Sequence, residues 1–312
     1  VSDPPFRSVC KENGADLMFT EFISSEGLIR NAEKSTQKLD IYDSERPIGI
    51  QIFGDKIESM KKAASISEAA NPEIIDINYG CPVKKVACKG AGAGILLDIN
   101  KMQKMTSEIV KQVKKPVTVK TRLGWDDNSI KIVEVAERLQ DVGIQALTIH
   151  GRTRKQMYKG EANWEYIAEV KNNPRIHIPI FGNGDINSPE KAKKYKNKYG
   201  VDGIMIGRSA IGNPWIFNEI KTYIKENKHI KKPSLNNRIE TVKKHLDFSI
   251  QWKGERLGLV EMRRHYTNYF RGMDNFKKHR MKLILSESKS FTLETLNDIS
   301  NVYSKNKELA EL

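Results

Sequence analysis

Short runs of β-branched and aromatic residues alternate with longer amphipathic stretches between residues 17 and 210. Seven runs are visible, at residues 17–22, 48–54, 74–79, 117–122, 146–150, 178–181 and 203–207. Between two of them, residues 130–142 carry apolar side chains at helical spacing, namely Ile132, Val133, Val135, Ala136 and Leu139. Strands that alternate with helices form a parallel sheet through right-handed crossovers, and an eighth unit would close a (β/α)8 barrel.

An open, doubly wound sheet is the alternative architecture. It predicts a glycine-rich turn after the first strand and polar groups collected at one switch point. Here nearly every run ends in a polar or reactive residue: Glu21, Gln51, Asn78, Lys120, His150, Asn183 and Arg208. Functional groups at the ends of many strands are typical of a TIM-barrel active site, so the pattern favours the TIM barrel.

The alternation of strands and helices stops near residue 230. Lys231-Lys-Pro233 indicates a linker, and Ile239, Val242 and Leu246 then recur at helical spacing. We therefore predict a TIM-barrel catalytic domain over residues 1–230 and a small all-helical domain over residues 231–312.

The composition excludes several classes of protein. Hydrophobic residues are 38% and charged residues 29%, which is typical of a globular chain. No apolar run reaches the roughly 18 residues of a membrane span, and the first residues lack the pattern of a signal peptide. Three cysteines without a Cys-x-x-Cys motif indicate neither a disulfide framework nor a zinc site. We predict a soluble cytoplasmic protein with no metal site and no membrane association.

The net charge is +14, from 53 Lys and Arg against 39 Asp and Glu. Such an excess favours a polyanionic partner, most often nucleic acid, although a solvated lysine-rich surface explains it equally well. The excess is concentrated between residues 253 and 282, which contain nine basic and three acidic residues and so have a local net charge of +6. If they share one face, we expect them to contact RNA phosphates: Lys253, Arg256, Arg263, Arg264, Arg271, Lys277, Lys278, Arg280 and Lys282.

Cys81 lies in a turn, Asn78-Tyr-Gly-Cys-Pro82, directly after the run at residues 74–79. A thiol is mostly protonated at neutral pH, so Cys81 could act as a general acid, or as a nucleophile beside a cation. Free cysteines are usually small buried hydrophobes, but the position at the end of a barrel strand favours a functional role.

Lys120 and His150 end two neighbouring runs. Lys120 could form a Schiff base, hold a phosphate or place positive charge beside an electron-accepting cofactor, unless it only reaches solvent. His150 could be a ligand, a base or a satisfied core histidine.

Glycine pairs follow the last two runs, as Gly182-Asn-Gly184-Asp185 and as Gly207-Arg208. Loops at these barrel positions often bind phosphate through backbone N–H groups. The guanidinium of Arg208 suits phosphate as well, so the two loops predict a phosphate-bearing cofactor.

These residues also carry a family resemblance. Five motifs occur in order, at residues 78–85 (NYGCPVKK), 120–125 (KTRLGW), 147–153 (LTIHGRT), 183–185 (NGD) and 206–215 (Ile206-Gly-Arg208 through Asn213-Pro-Trp215). Together they resemble the tRNA-dihydrouridine synthases, flavin-dependent oxidoreductases, and are closest to the bacterial B class.

The resemblance implies FMN as cofactor, NADPH as electron donor and specific uridines of tRNA as substrate. It implies hydride transfer from N5 of FMN to C6 of uracil and proton transfer from Cys81 to C5. It places Gln51, Lys120 and His150 against the flavin, and Asn78 and Arg122 against the uracil. It assigns the phosphate and ribityl chain to Asn183, Gly184, Asp185, Gly207 and Arg208.

One departure concerns the beginning of the chain. The family's first strand and a flavin-binding loop normally precede the Asp-x-Pro-Phe-Arg sequence, which here starts at Asp3. We therefore expect an N-terminally incomplete sequence that does not close its barrel by itself.

Two other functions compete with this interpretation. An FMN barrel acting on a free pyrimidine or another small molecule explains the phosphate loops and Cys81 but not the basic region. A non-catalytic RNA-binding protein explains the charge but not the polar strand ends. No feature indicates an obligate protein partner.

Overall fold

A computed structural model describes residues 2–310, with side chains for residues 2–303. The strands in this part are β1 (Met18–Phe19), β2 (Ile23–Ser24), β3 (Ile48–Phe53), β4 (Ile74–Tyr79), β5 (Val117–Arg122), β6 (Ala146–His150), β7 (Ile180–Asn183) and β8 (Gly203–Met205). The α-helices there are α1 (Pro4–Glu12), α2 (Ser25–Ile29), α3 (Glu33–Thr36), α4 (Ile57–Ala69), α5 (Lys84–Ala87), α6 (Ile99–Gln112), α7 (Ile132–Asp141), α8 (Glu165–Lys171), α9 (Pro189–Tyr199), α10 (Ile216–Glu226), α11 (Leu235–Lys253), α12 (Glu255–Tyr269), α13 (Lys277–Leu285) and α14 (Lys289–Ala310).

The strands form one parallel sheet in the order β1-β3-β4-β5-β6-β7-β8, and β2 also pairs with β3. The first predicted run, residues 17–22, contains the short strand β1, and the equally short β2 begins just after it at Ile23. Thr20 lies between them, and its hydroxyl accepts the N–H of Gln51, which a strand carbonyl would otherwise take. The parallel α/β architecture with a helical C-terminal region is confirmed.

The sheet remains open in the part of the chain that the structure describes. β1 and β8 lie at its two edges, and no ladder joins them. This agrees with the expectation that the barrel does not close.

Side chains along each strand alternate between two faces of the sheet. Ile50, Ile77 and Val119 are fully buried. Tyr79 belongs to the same face as Ile77, and its hydroxyl lies 3.0 Å from the hydroxyl of Thr106 on α6. This apolar face packs on the helices, which leaves the opposite face for polar side chains.

The chain divides into two compact units. Residues 16–207 form the first, which we call the sheet unit. Residues 3–15 together with those from Arg208 onward form the second, the helical unit. The sequence pattern predicts one boundary at residue 230, whereas the compact units divide after Gly207 and assign α1 to the helices.

The helical unit has its own apolar core. The core residues are Ile239, Val242, Leu246, Leu259, Met262, Tyr266, Tyr269, Phe270, Phe276, Leu283, Leu296 and Ile299. Asp3 caps α1, because its carboxylate accepts the N–H of Phe6, and it also pairs with Lys253 at 2.8 Å. Among the described residues, no helix is both long and apolar enough to cross a bilayer.

Candidate active site

The register of the parallel strands brings the predicted site residues to one face and one edge of the sheet. Asn78 on β4 lies beside Lys120 on β5. Arg122 at the end of β5 lies beside His150, and His150 lies beside Asn183. The pairs follow from a two-residue period on every strand, so residues far apart in sequence become neighbours.

Two side-chain amides connect a buried carboxylate to the Cys81 turn. Gln51 donates from Nε2 to Oδ2 of Asp76 at 2.6 Å. Asn78 donates from Nδ2 to Oε1 of Gln51 at 2.7 Å. Oδ1 of Asn78 then accepts the backbone N–H groups of Gly80 and Cys81 at 3.0 and 2.9 Å. The position of Cys81 is therefore tied to β3 and β4.

The Cys81 side chain is buried, with 6% of the residue exposed. Its carbonyl oxygen accepts the N–H of Ala93, which closes the segment between them. Gly92 has φ +53°, and a Cβ there would approach the Cβ of Cys81 to 2.9 Å. Glycine is thus required at this position both for the backbone conformation and for the close approach to Cys81.

Lys120 is half-buried, and its ammonium group forms no hydrogen bond or ion pair with the described residues. Burial lowers its pKa to about 8, and the charge of Arg122 adds to that effect, whereas Asp76 and Cys81 oppose it. Burial raises the pKa of Asp76 to about 6, although hydrogen bonds from Thr118 and Gln51 and the charge of Lys120 lower it. Near neutral pH, Asp76 and Lys120 therefore carry opposite charges at the floor of the site.

Arg122 is almost fully buried and holds two segments together. Its Nε donates to the carbonyl of Gly80 at 2.7 Å, next to Cys81. Its Nη1 donates to the carbonyls of Thr153 and Met157 at 3.1 and 2.9 Å. Burial lowers the pKa of Arg122 to about 10. The side chain thus organises the loops on both sides of the site, and its contact with uracil stays a prediction.

His150, Arg152 and Asp185 form a second cluster at the end of β6 and β7. Nη1 of Arg152 lies 3.3 Å from Nε2 of His150, and Nη2 pairs with Oδ2 of Asp185 at 2.6 Å. Asp185 has φ +56° and also accepts the N–H of Ala162 at 2.8 Å. Burial raises the pKa of Asp185, but the hydrogen bond from Arg152 and the other contacts more than offset it. Arg152 therefore neutralises Asp185, a carboxylate within the predicted phosphate loop.

The predicted phosphate-binding residues lie in and beyond β7. Asn183 donates from Nδ2 to the carbonyl of Met205 at 2.8 Å, which joins β7 to β8. Gly184 has φ +130°, and a Cβ there would approach that of Ala162 to 2.5 Å. Gly207 is exposed and has open space where a side chain would stand. Arg208 is exposed and begins a short 3-10 helix of the helical unit.

Sequence reasoning assigned no role to Asp76, Arg152 or Tyr158. Asp76 could have been found as the one charged residue inside the apolar run at residues 74–79. Arg152 belongs to the His-Gly-Arg motif, but only folding brings it to Asp185. Tyr158 is 53% exposed, and the guanidinium of Arg122 lies 5.8 Å from its ring centroid.

A family model described as "Dihydrouridine synthase (Dus)" matches residues 1–304. The chain belongs to the dihydrouridine synthase family. The resemblance read from the five motifs is thereby confirmed, as is the enzyme class, a flavin-dependent oxidoreductase.

Curated relatives agree with the family model. A tRNA-dihydrouridine synthase B of Pasteurella multocida is 39% identical over 273 residues, which cover 88% of this chain and 82% of that protein. A probable tRNA-dihydrouridine synthase of Rickettsia prowazekii is 37% identical over 281 residues, covering 90% of this chain and 85% of the relative.

Solved structures at low identity show the fold of this dihydrouridine synthase. Histamine dehydrogenase from Rhizobium sp. 4-9 matches with a TM-score of 0.55 and 11% identity, over 79% of this chain and 47% of that one. A 6-hydroxypseudooxynicotine amine oxidase from Pseudomonas geniculata matches with a TM-score of 0.55 and 13% identity, over 77% and 47%. The aligned region is thus about half of each of these longer chains.

Proposed function

We propose that this protein reduces specific uridines of tRNA to dihydrouridine with FMN bound at the polar edge of the sheet and NADPH as electron donor. The observation that carries the proposal is the arrangement of Cys81 and Lys120. A buried thiol, held through its backbone N–H, lies in the turn after β4, and the neighbouring strand β5 carries a half-buried ammonium group that has no partner among the described residues. The thiol can supply a proton, and the ammonium group can bind an anion.

The residues present suit FMN. An unpaired, partly desolvated ammonium group favours a partner that carries or develops negative charge, and we assign Lys120 to the flavin ring. Gln51 uses one N–H on Asp76 and keeps a second one for a ligand acceptor. His150 lies at the end of β6, the strand that pairs with β5, and we assign it to the flavin as well.

The phosphate and ribityl chain of FMN fit the end of β7 and β8. Glycines at residues 184 and 207 let the backbone N–H groups approach a phosphate closely. Asn183 and Asp185 border the same loop, and Arg208 follows Gly207 directly in the chain. We assign these five residues to that end of the cofactor.

Reduction of uracil adds a hydride at C6 and a proton at C5, and the C5–C6 double bond becomes a single bond. FMN, when bound, would supply the hydride, and NADPH would supply its two electrons. Cys81 donates its thiol proton to C5 as general acid and is reprotonated from solvent. Asn78 and Arg122, which hold the Cys81 turn, are assigned to uracil contacts. Each retains N–H donors for a carbonyl oxygen.

tRNA as substrate is supported by the family and by the names of the curated relatives. The net charge of +14 suits a polyanionic substrate. A uridine in folded RNA must leave its stack to reach a buried thiol, which costs a few kcal/mol and requires a large docking surface. A cytoplasmic location completes the proposal, because tRNA and NADPH are found there.

The proposal is tested with purified protein, FMN and NADPH, offered either unmodified tRNA or free uridine. We expect one FMN per chain and dihydrouridine in tRNA, with at least a hundredfold lower rate on free uridine. Equal rates on both substrates would favour a small-molecule oxidoreductase. A protein that binds tRNA but retains no flavin would be a non-catalytic RNA-binding protein.

A further inference from the structure

Asp76 is a buried carboxylate that the proposed chemistry does not use. It is 2% exposed and faces the same side of the sheet as Asn78, two residues further along β4. Its Oδ2 accepts from Gln51 at 2.6 Å, and its Oδ1 accepts from the hydroxyl of Thr118 at 2.5 Å. Both carboxylate oxygens are therefore occupied by donors from the two neighbouring strands.

An ionised carboxylate can only accept hydrogen bonds, and this imposes a direction on the amides above it. Gln51 must present its NH2 group to Asp76, so its oxygen points to Asn78 and accepts from Nδ2 there. Asn78 must therefore present its own oxygen to the turn, where it accepts the N–H groups of Gly80 and Cys81. Each amide orientation is determined by the one before it.

We propose that Asp76 is a positioning residue for uridine reduction, which orients Gln51 and Asn78 and thereby holds the backbone of Cys81 in place. The inference rests on the proposed function, because it assigns Asp76 to the protonation step carried out by Cys81. Asp76 itself does not touch the substrate.

A neutral amide at residue 76 could not impose this direction, because it offers a donor as well as an acceptor. In the reversed network, residue 76 donates to Gln51, Gln51 donates to Asn78, and the NH2 group of Asn78 faces the turn. The N–H groups of Gly80 and Cys81 then meet a donor and lose their partner. The penalty of a buried, unpaired N–H falls on the segment that carries the thiol.

The charge of Asp76 supports the same assignment. It opposes the fall in the pKa of Lys120, so the carboxylate and the ammonium group help to keep each other charged near neutral pH. An ionised Asp76 is the state that the directed network requires.

The test compares Asp76→Asn with Tyr79→Phe in the whole protein. Tyr79 lies on the same strand but on the opposite face, and its replacement also removes a buried hydrogen bond, the 3.0 Å contact with Thr106. Two measurements are made: hydrogen exchange of residues 78–82 without FMN, and rapid mixing of FMN-loaded protein with NADPH and then with tRNA.

For Asp76→Asn we expect faster hydrogen exchange at residues 78–82 and a roughly 10²-fold slower reoxidation of reduced flavin by tRNA, the usual effect of misplacing a catalytic group by about 1 Å. The slowing of reoxidation should exceed any change in the rate of reduction by NADPH or in the KM for tRNA. The solvent deuterium isotope effect on reoxidation should rise, because protonation becomes rate-limiting. Tyr79→Phe should match the parent in all of these.

Unchanged exchange and reoxidation in Asp76→Asn would overturn the inference, as would equal defects in Tyr79→Phe. If Asp76→Asn does not fold, Gln51→Met interrupts the network one step later at similar volume and must expose the same two N–H groups. A parent protein that forms no dihydrouridine would refute the proposed function, whereas the exchange experiment judges the network independently.

Discussion

Both units of the protein bury polar side chains, but they do so in different ways. In the sheet unit, Asp76 lies within β4, and Lys120 and Arg122 lie toward the end of β5, where the ammonium group of Lys120 has no partner among the described residues. In the helical unit, His245 and His265 lie in the interior, with ring centroids 4.6 Å apart.

The difference separates the buried polar groups that we assign to the proposed chemistry from those that pack in the interior. Phe6 packs on both histidines, and the hydroxyl of Tyr269 lies 2.9 Å from Nδ1 of His245. Burial lowers the pKa of His245 to about 4 and that of His265 to about 2, so both stay neutral in the folded unit. The two buried histidines of the helical unit thus add no internal charge, whereas Asp76 and Lys120 of the sheet unit stay charged where a ligand can compensate them.

Removal of the Cys81 thiol should have the largest effect. Cys81→Ala should slow the reduction of tRNA uridine by about 10²–10⁴-fold, the usual contribution of a positioned general acid. FMN binding and reduction by NADPH should persist, because the thiol does not take part in them. Rapid-mixing absorbance at the flavin band measures both half-reactions.

Cys88→Ala is the matched control, because Cys88 is an exposed cysteine of the same unit. It should behave as the parent. Normal turnover of the Cys81→Ala enzyme would show that Cys81 is only a packing residue. The sheet unit would then not differ from the helical unit in this respect.

Arg208→Ala tests the predicted phosphate contact. Loss of a charge-assisted hydrogen bond should weaken FMN binding by roughly 1.5–3 kcal/mol. Fluorescence titration of the cofactor-free protein with FMN measures it, and riboflavin, which lacks the phosphate, should lose no affinity. Arg175→Ala is the control, since this exposed arginine lies elsewhere in the sheet unit and pairs with Glu137 and Asp141 on α7. If riboflavin and FMN weaken equally, the phosphate assignment is wrong.

Acid should destabilise the helical unit through its two histidines. Their pKa values in the folded protein, about 4 and about 2, lie below the ordinary 6.5. The unfolded chain therefore binds more protons below pH 6.5, and the free energy of unfolding falls as the pH decreases. The slope is about 1.4 kcal/mol per pH unit for each histidine, down to its folded pKa.

Urea unfolding at pH 7.5, 6.5 and 5.5 measures this loss. His265→Gln should have a smaller slope between pH 6.5 and 5.5 than the parent. If the free energy of unfolding depends on pH equally in the two proteins, His265 is not the source of the acid sensitivity. The interpretation of His265 as a histidine kept neutral by burial would then be wrong.

Substitution of basic side chains in the helical unit should have the smallest effect. Of the nine residues predicted to contact RNA phosphates, only some are available for it. Lys253 is committed to Asp3 at 2.8 Å, whereas Arg271, Lys277 and Lys278 are exposed. Glutamine at these three positions should weaken tRNA binding and lower the slope of log affinity against log salt by roughly 1 per lost phosphate contact. Lys253→Gln should lower the stability of the unit and leave that slope unchanged. Coincident salt slopes for the triple variant and the parent would refute the docking role.

The strands, and the candidate site residues at their ends, could be proposed from the sequence because their signals are local. The apolar run at residues 48–54 specifies β3 by composition, and its period of two places Gln51 on the polar face. The position of Cys81 after β4 follows from the turn sequence alone. Which of the nine basic residues between 253 and 282 are available to RNA could not be predicted in the same way. Only the fold shows that Lys253 pairs with Asp3, 250 positions away.

Local pattern therefore determined the elements, the parallel sheet and the type of chemistry at its edge, because these depend on spacing within a few residues. The tertiary structure alone decided the partners. Contacts between distant segments pair Arg152 with Asp185 and Gln51 with Asp76. They also make α1 part of the helical unit. The physical reason is that hydrogen bonds and ion pairs depend on distances of about 3 Å, which no local periodicity encodes.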